Sequence, residues 1–150
     1  MIYGRRINIA TDFSTRVYYR DTDAGGVVYH GSYLDFLERA RTEWLRDLGF
    51  EQKDLVDRYK MFFLVRKMKL AYVKAAGLDD TLRVTAQICG LGRAQITMTQ
   101  NVYRIQEVIM KAEVNLACVD SDRLVPKRLP DVIWKKMKGL LHQKKGGVVR

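Results

Sequence analysis

With 27 Lys or Arg against 17 Asp or Glu, a chain of 150 residues carries a net charge of +10 and is drawn to anions. It is long enough to bury its own core, and the expectation is one domain over residues 1–150. No run approaches the ~18 apolar residues of a membrane helix and no apolar stretch follows the N-terminal charges, so neither a membrane span nor a secretory leader is expected and the cytoplasm is the expected location.

In chain order, Phe13 to Tyr19 is rich in β-branched and aromatic residues and predicts a first strand. A hinge, Ala24-Gly25-Gly26, leads into Val27-Val28-Tyr29-His30. Tyr33, Leu34, Leu37, Ala40, Arg41, Trp44, Leu45 and Leu48 then recur at three- and four-residue spacing. Apart from Arg41 they form the apolar stripe of a helix of ~25 Å. Ser32, with Asp35 three residues on, reads as its N-cap and Gly49 as its stop. A stripe this broad needs a sheet to pack on. Residues 51–60 are polar and predict a short second helix.

Four period-two patterns follow. Phe62, Leu64, Arg66, Met68, Leu70 and Tyr72 share one face, with Lys67 and Lys69 on the other. Leu82, Val84, Ala86 and Ile88 form the next face, Ala94, Ile96 and Met98 the third, and Val108 through Cys118 the last. After Pro130, Asp131 to Leu141 predicts a basic helix, and residues 142–150 read as a frayed tail outside a core of about 13–135. The expected fold is α+β, a long central helix wrapped by a curved antiparallel sheet of about five strands.

Several chemistries fall away. No GxSxG elbow or P-loop occurs, and Gly90-Leu91-Gly92 lacks the third glycine and the following helix of a dinucleotide fingerprint. Cys89 and Cys118 form no CxxC pair, and no HExxH or acid cluster suggests a metal. Asp21 and Asp23 remain, one residue apart beside the glycine hinge. Either can shape the turn by bonding nearby backbone N–H groups. Asp23 has a second reading. Gly26 leaves the approach bare, Val28 and Tyr29 belong to an apolar run suited to a dry pocket, and a helix N-terminus follows with unpaired N–H donors. A carboxylate beside such donors suits acyl transfer or hydrolysis. His30 is the one histidine near them, and it offers either its ring or its backbone N–H.

The string RVYYRDTDAGGVVYHGSYL, Arg16 to Leu34, resembles the signature of the 4-hydroxybenzoyl-CoA thioesterase family of hot-dog proteins. Its continuation, ERARTEWLRDLGF, is similar to the branch of acyl-CoA thioesterases associated with the Tol-Pal envelope system. The resemblance implies an acyl-CoA thioesterase without a cofactor. Asp23 would be its nucleophile or general base, and the His30 backbone N–H its oxyanion donor. Gly26, Val28 and Tyr29 are the expected substrate-binding residues from the bare hinge and apolar run, and the resemblance adds CoA contacts at Arg93 and a homo-oligomer (dimer or tetramer) with sites between subunits. Lys127 and Arg128 join the CoA-binding candidates on charge. Residues 123–150 hold nine Lys or Arg and one acid, Asp131, which suits CoA phosphates or an acidic acyl carrier protein. Two other readings stand beside this one. One is a non-catalytic module that holds acyl groups or acyl carrier protein. The other, nucleic-acid binding, lacks a reading motif and aromatics beyond Trp134 in the basic segment.

Overall fold

The computed structural model describes residues 10–149, with side chains from 11 to 141. Five strands, β1 (Ala10–Arg16), β2 (Met61–Tyr72), β3 (Thr81–Leu91), β4 (Gln95–Arg104) and β5 (Glu107–Asp120), form one sheet in the order β1-β3-β4-β5-β2. Every neighbouring pair is antiparallel. Helix α1 (Ser32–Leu48) lies against it, α2 (Gln52–Tyr59) leads into β2, and α3 (Asp131–Val149) follows β5. The α+β expectation with about five strands holds.

The core is the meeting of two periodicities. Tyr33, Phe36, Leu37, Ala40, Trp44, Leu45 and Leu48 are the buried stripe of α1. They face Leu82, Val84, Ala86 and Ile88 of β3 and Ile96, Met98 and Val102 of β4, all buried in the same cluster. Gln100 occupies an inward position among them and is fully buried. Its amide is satisfied: Nε2 donates to the Leu37 and Thr85 carbonyls, and Oε1 accepts from Arg41. Thr11 Oγ1 donates to Asp47 Oδ2 at 2.7 Å and ties β1 to the end of α1.

Five expectations are corrected. β1 ends at Arg16, short of Tyr19, because the Asp21 carboxylate accepts from Tyr18 N–H and closes a 3-10 turn over Tyr19–Asp21. The N-cap of α1 is Gly31, with no side-chain cap; Ser32 instead donates Oγ to the Asp21 carbonyl. Along β2 the inward face changes parity. A bulge between Val65 and Lys67 lets Phe63 on one side and Met68 and Leu70 on the other all reach the core, while Leu64 is exposed. A second irregularity, between Val102 and Tyr103, buries Ile109 in place of Val108. Helix α3 also continues past Leu141 to Val149, carried in its described part by Ile133, Met137 and Leu140 in the core. The side chains of the tail lie outside the described residues.

Gly49 stops α1 at φ 104°, with its N–H on the Arg46 and Leu45 carbonyls. An alanine there enters the left-handed region at a cost of roughly 1–2 kcal/mol, and its Cβ would stand 3.2 Å from Lys136 Nζ. Gly49→Ala is expected to lower unfolding stability by about 1 kcal/mol without changing the m-value, measured by urea denaturation.

Candidate active site

The segment between β1 and α1 folds into a small loop. Asp23 N–H donates to the Val27 carbonyl at 2.8 Å, Gly26 N–H returns to the Asp23 carbonyl, and Thr22 bridges Val28. Gly26 sits at φ 86°, where only glycine is unstrained, and nothing would meet a Cβ there. The Asp23 carboxylate is exposed. Its Oδ1 accepts from Gly25 N–H at 2.8 Å, and Oδ2 has no partner among the described residues. Two further bonds fasten this loop to the helix: the Asp21 carbonyl accepts from Tyr29 N–H at 2.8 Å and from Ser32 Oγ at 3.0 Å. Asp21 is thus fully engaged in shaping the turn.

At the start of α1, the N–H groups of His30 and Gly31 find no acceptor among the described residues. These are the orphan donors that a helix N-terminus leaves, at its positive end. Tyr72 Oη donates to the His30 carbonyl at 3.0 Å and fixes the peptide plane that carries the Gly31 N–H. The Tyr29 ring packs on the His30 ring with centroids 4.4 Å apart. It also covers Gly31, where a Cβ would lie 2.7 Å from the Tyr29 ring. Val28, His30, Tyr33, Tyr72, Val73, Lys74 and Ala75 line an open cleft of about 280 Å³ beside these donors. Val28 is core, but Val27 and Tyr29 are exposed, so within one chain the expected dry pocket is open to water.

A second loop supports the first. Val28 N–H donates to the Ala76 carbonyl, and Val27 bridges Gly77. Residues 75–80 are held in turn by Asp80, whose Oδ2 accepts from Gly77 N–H and from Arg104, both at 2.8 Å. Arg104 also reaches the Ala75 carbonyl and Glu107, and Glu107 pairs with Lys74. Burial pushes the Tyr33 phenol above its ordinary pKa, against the opposing hydrogen bond from the Ala76 backbone. None of Tyr72, Asp80 or Arg104 was a sequence candidate. Tyr72 reaches His30 across 42 residues and Arg104 reaches Asp80 across 24, and spacing carries no such signal.

Arg93, Lys127 and Arg128 are elsewhere. Arg93 lies just beyond the end of β3, whereas the Asp23 loop leans on Gly77, just before its start. β3 is 11 residues long, so the two ends are about 33 Å apart at ~3.3 Å per residue. The Arg93 guanidinium stacks on Trp134 at 4.5 Å, and its carbonyl accepts from Leu129 N–H. Lys127 Nζ donates to the Tyr59 and Lys60 carbonyls at the C-terminus of α2, and Arg128 is exposed. Among the described residues, no group of three or more His, Cys, Asp or Glu gathers as for a metal, and no helix is long and apolar enough to cross a membrane. Desolvation raises the buried Cys118 thiol to about 11, which leaves it an inert core group.

The family model of the thioesterase-like superfamily matches residues 17–137. The chain belongs to the thioesterase-like superfamily. It is similar to the acyl-CoA thioesterase YbgC of Haemophilus influenzae, with 43% identity over 89% of this chain and 95% of that protein. The acyl-CoA thioester hydrolase YbgC of Escherichia coli O6:H1 is likewise 43% identical, over 82% and 92%. Among solved structures, a probable thioesterase from Bartonella henselae superposes with a TM-score of 0.78 at 37% identity, over 81% of this chain and 99% of that one. The 4-hydroxybenzoyl-CoA thioesterase of Pseudomonas sp. strain CBS-3 gives 0.79 at 18% identity, over 85% and 98%, a likeness of fold alone. The sheet and central helix are those of a hot-dog thioesterase, as the resemblance implied.

In this superfamily member the brace under the Asp23 loop is acid-sensitive. The Gly77 N–H and then Arg104 hold the Asp80 carboxyl below its ordinary range. A carboxylate with a depressed folded-state pKa stabilises the fold above its unfolded value, and that contribution drains away as pH falls through the folded one. Asp80→Asn is therefore expected to be less stable than the parent at pH 7, with the difference shrinking below about pH 4. Urea midpoints taken from pH 7 down to acid give the comparison, and a constant gap would refute the link.

Proposed function

We propose that this chain is an acyl-CoA thioesterase in which Asp23 is the attacking or water-activating carboxylate. The observation that carries the proposal is a carboxylate oxygen on Asp23 and N–H donors at His30 and Gly31, all without a partner among the described residues. The two are tied together through the Asp21 carbonyl. The thioester carbonyl binds at the N-terminus of α1, where the N–H groups stabilise the developing oxyanion. Either Asp23 attacks the carbonyl, CoA leaves as the thiolate, and water then cleaves the acyl-aspartyl anhydride, or Asp23 takes a proton from a water that itself attacks the carbonyl, and the C–S bond breaks to release CoA thiolate and the acid. Gly26 keeps the approach open, while Val28 and Tyr29 bound the acyl end. Residues of the chain suffice, with no cofactor. The 43% identity to relatives named acyl-CoA thioesterases supports the substrate class.

The basic candidates enter through a second copy. β2 is an edge strand with Leu64 and Val65 exposed. Tyr72, at its C-terminal end, borders the Asp23 site; Met61, at its other end, borders Lys127 through Lys60. Two β2 strands paired antiparallel about a two-fold axis bring one subunit's Arg93, Lys127 and Arg128 end toward the other's Asp23. A dimer of this kind closes the cleft against water and supplies cations for the CoA phosphates. The single hot-dog domain then works as a homodimer or a pair of dimers in the cytoplasm. The charge of the basic C-terminal segment suits an acidic acyl carrier protein.

Asp23→Asn is expected to keep the fold and lose about 10²–10⁴-fold in acyl-CoA hydrolysis, the usual weight of a positioned acid or base. His30→Ala keeps its backbone N–H and is expected to lose far less. Steady-state assays over acyl-CoAs from acetyl to palmitoyl, with 4-hydroxybenzoyl-CoA included, measure both. Near-parental turnover in Asp23→Asn would end the assignment.

A further inference from the structure

The His30 and Gly31 N–H groups belong to consecutive peptide units, and each unit is held by its carbonyl. The Tyr29 carbonyl, on the unit that carries the His30 N–H, accepts from Ser32 N–H at 2.9 Å. The His30 carbonyl, on the unit that carries the Gly31 N–H, accepts from Tyr72 Oη at 3.0 Å. Gly31 already has helical backbone angles, so its N–H points out of the N-terminal end of α1. The first hold is backbone, and almost any sequence supplies it. The second is one side chain, brought from 42 residues away.

Tyr72 is itself fixed twice. It is the last residue of β2, and its backbone pairs with Met110 of β5. Its ring meets that of the buried Tyr33 edge-on, with centroids 5.7 Å apart. The hydroxyl is thereby directed at the His30 carbonyl. His30 is exposed, so water would satisfy that carbonyl if the tyrosine did not. What the tyrosine adds is direction and polarity. A peptide unit is planar, so a donor that fixes its oxygen fixes the aim of its N–H. A hydrogen bond accepted at the oxygen also polarises the unit and strengthens its N–H as a donor, by roughly 10–30% per bond.

We infer that Tyr72 is a positioning residue for thioester hydrolysis: acting through the His30 carbonyl, its hydroxyl aims and polarises the Gly31 N–H as a second oxyanion donor beside that of His30. The inference rests on the oxyanion role proposed for the start of α1. The thioester oxygen gains negative charge only as its carbonyl is attacked, so the Gly31 bond counts most in the transition state. Removing a whole oxyanion donor lowers kcat about 10²–10³-fold, and a donor that is kept but no longer aimed costs less. Ground-state binding of the acyl-CoA is left as it was.

Tyr72→Phe keeps the ring against Tyr33 and removes the hydroxyl alone. It is expected to lower kcat for acyl-CoA hydrolysis about ten-fold, with KM within about two-fold of the parent. Its sedimentation and urea midpoint should match the parent's. In the free protein, labelled with 13C and 15N, the His30 carbonyl and Gly31 amide nitrogen signals are expected to move upfield as their shared hydrogen bond is lost. That readout needs no turnover. A ten-fold loss in Tyr72→Phe with parental turnover in Asp23→Asn would end the Asp23 assignment and uphold this one. An inactive Asp23→Asn with parental kcat in Tyr72→Phe would end this one alone. A loss carried by KM, a loss that accompanies dissociation of the oligomer, or unmoved His30 and Gly31 signals would overturn it too.

Discussion

The candidate site depends on one backbone carbonyl. Asp21 C=O accepts from Tyr29 N–H and Ser32 Oγ at once, and so joins the loop that carries Asp23 to the first turn of α1. Without it, the segment between β1 and α1, residues 17–31, would be free to place its acid anywhere. The helix end has no side-chain cap of its own, and just ahead of it the N–H groups of His30 and Gly31 stay without an acceptor among the described residues. Usually a helix start is completed by the residue before it. Here that residue is glycine, and Ser32, the nearest hydroxyl, is spent on the loop.

Around this joint the molecule is arranged in rings of decreasing exposure. Asp23 is exposed, the Ala76 and Gly77 backbone lies just behind it, and Asp80 and Arg104 brace that segment from the side. Behind all of them, the stripe of α1 is pressed into the sheet. The chemistry proposed for Asp23 therefore rests on groups that no substrate touches.

Much of this was legible in the sequence, for local reasons. α1 from Ser32 to Leu48 and its stop at Gly49 follow from a stripe and a glycine, both written in consecutive residues. The inward faces of β3 and β4 follow from strict alternation. What failed was either a competition between local bonds or a break in period. The Asp21 carboxylate took Tyr18 N–H out of the first strand. The bulge at Val65 and Lys67 swapped inward and outward halfway along β2, which a count of apolar alternation cannot detect. The D-x-D turn was conspicuous through its residue types and its resemblance to a family string. Its props were not, because Tyr72, Asp80 and Arg104 are ordinary residues until the chain folds. The separation of Arg93 from Asp23 was also hidden: one-dimensional order says nothing about which end of a strand a turn occupies.

The bulge has a further consequence, for the open edge of the sheet. A long, flat, apolar edge invites any extended segment to add itself as another strand. β2 is long and its Leu64 and Val65 are exposed, yet it is bent at its midpoint, with Arg66 and Lys67 at the bend. Arg66 is drawn across to Gln95 and Asn115 on the neighbouring strands, so the kink is held by side chains as well as by backbone. The irregularity that spoils the sequence pattern thus also makes the edge a poor template for open-ended strand addition.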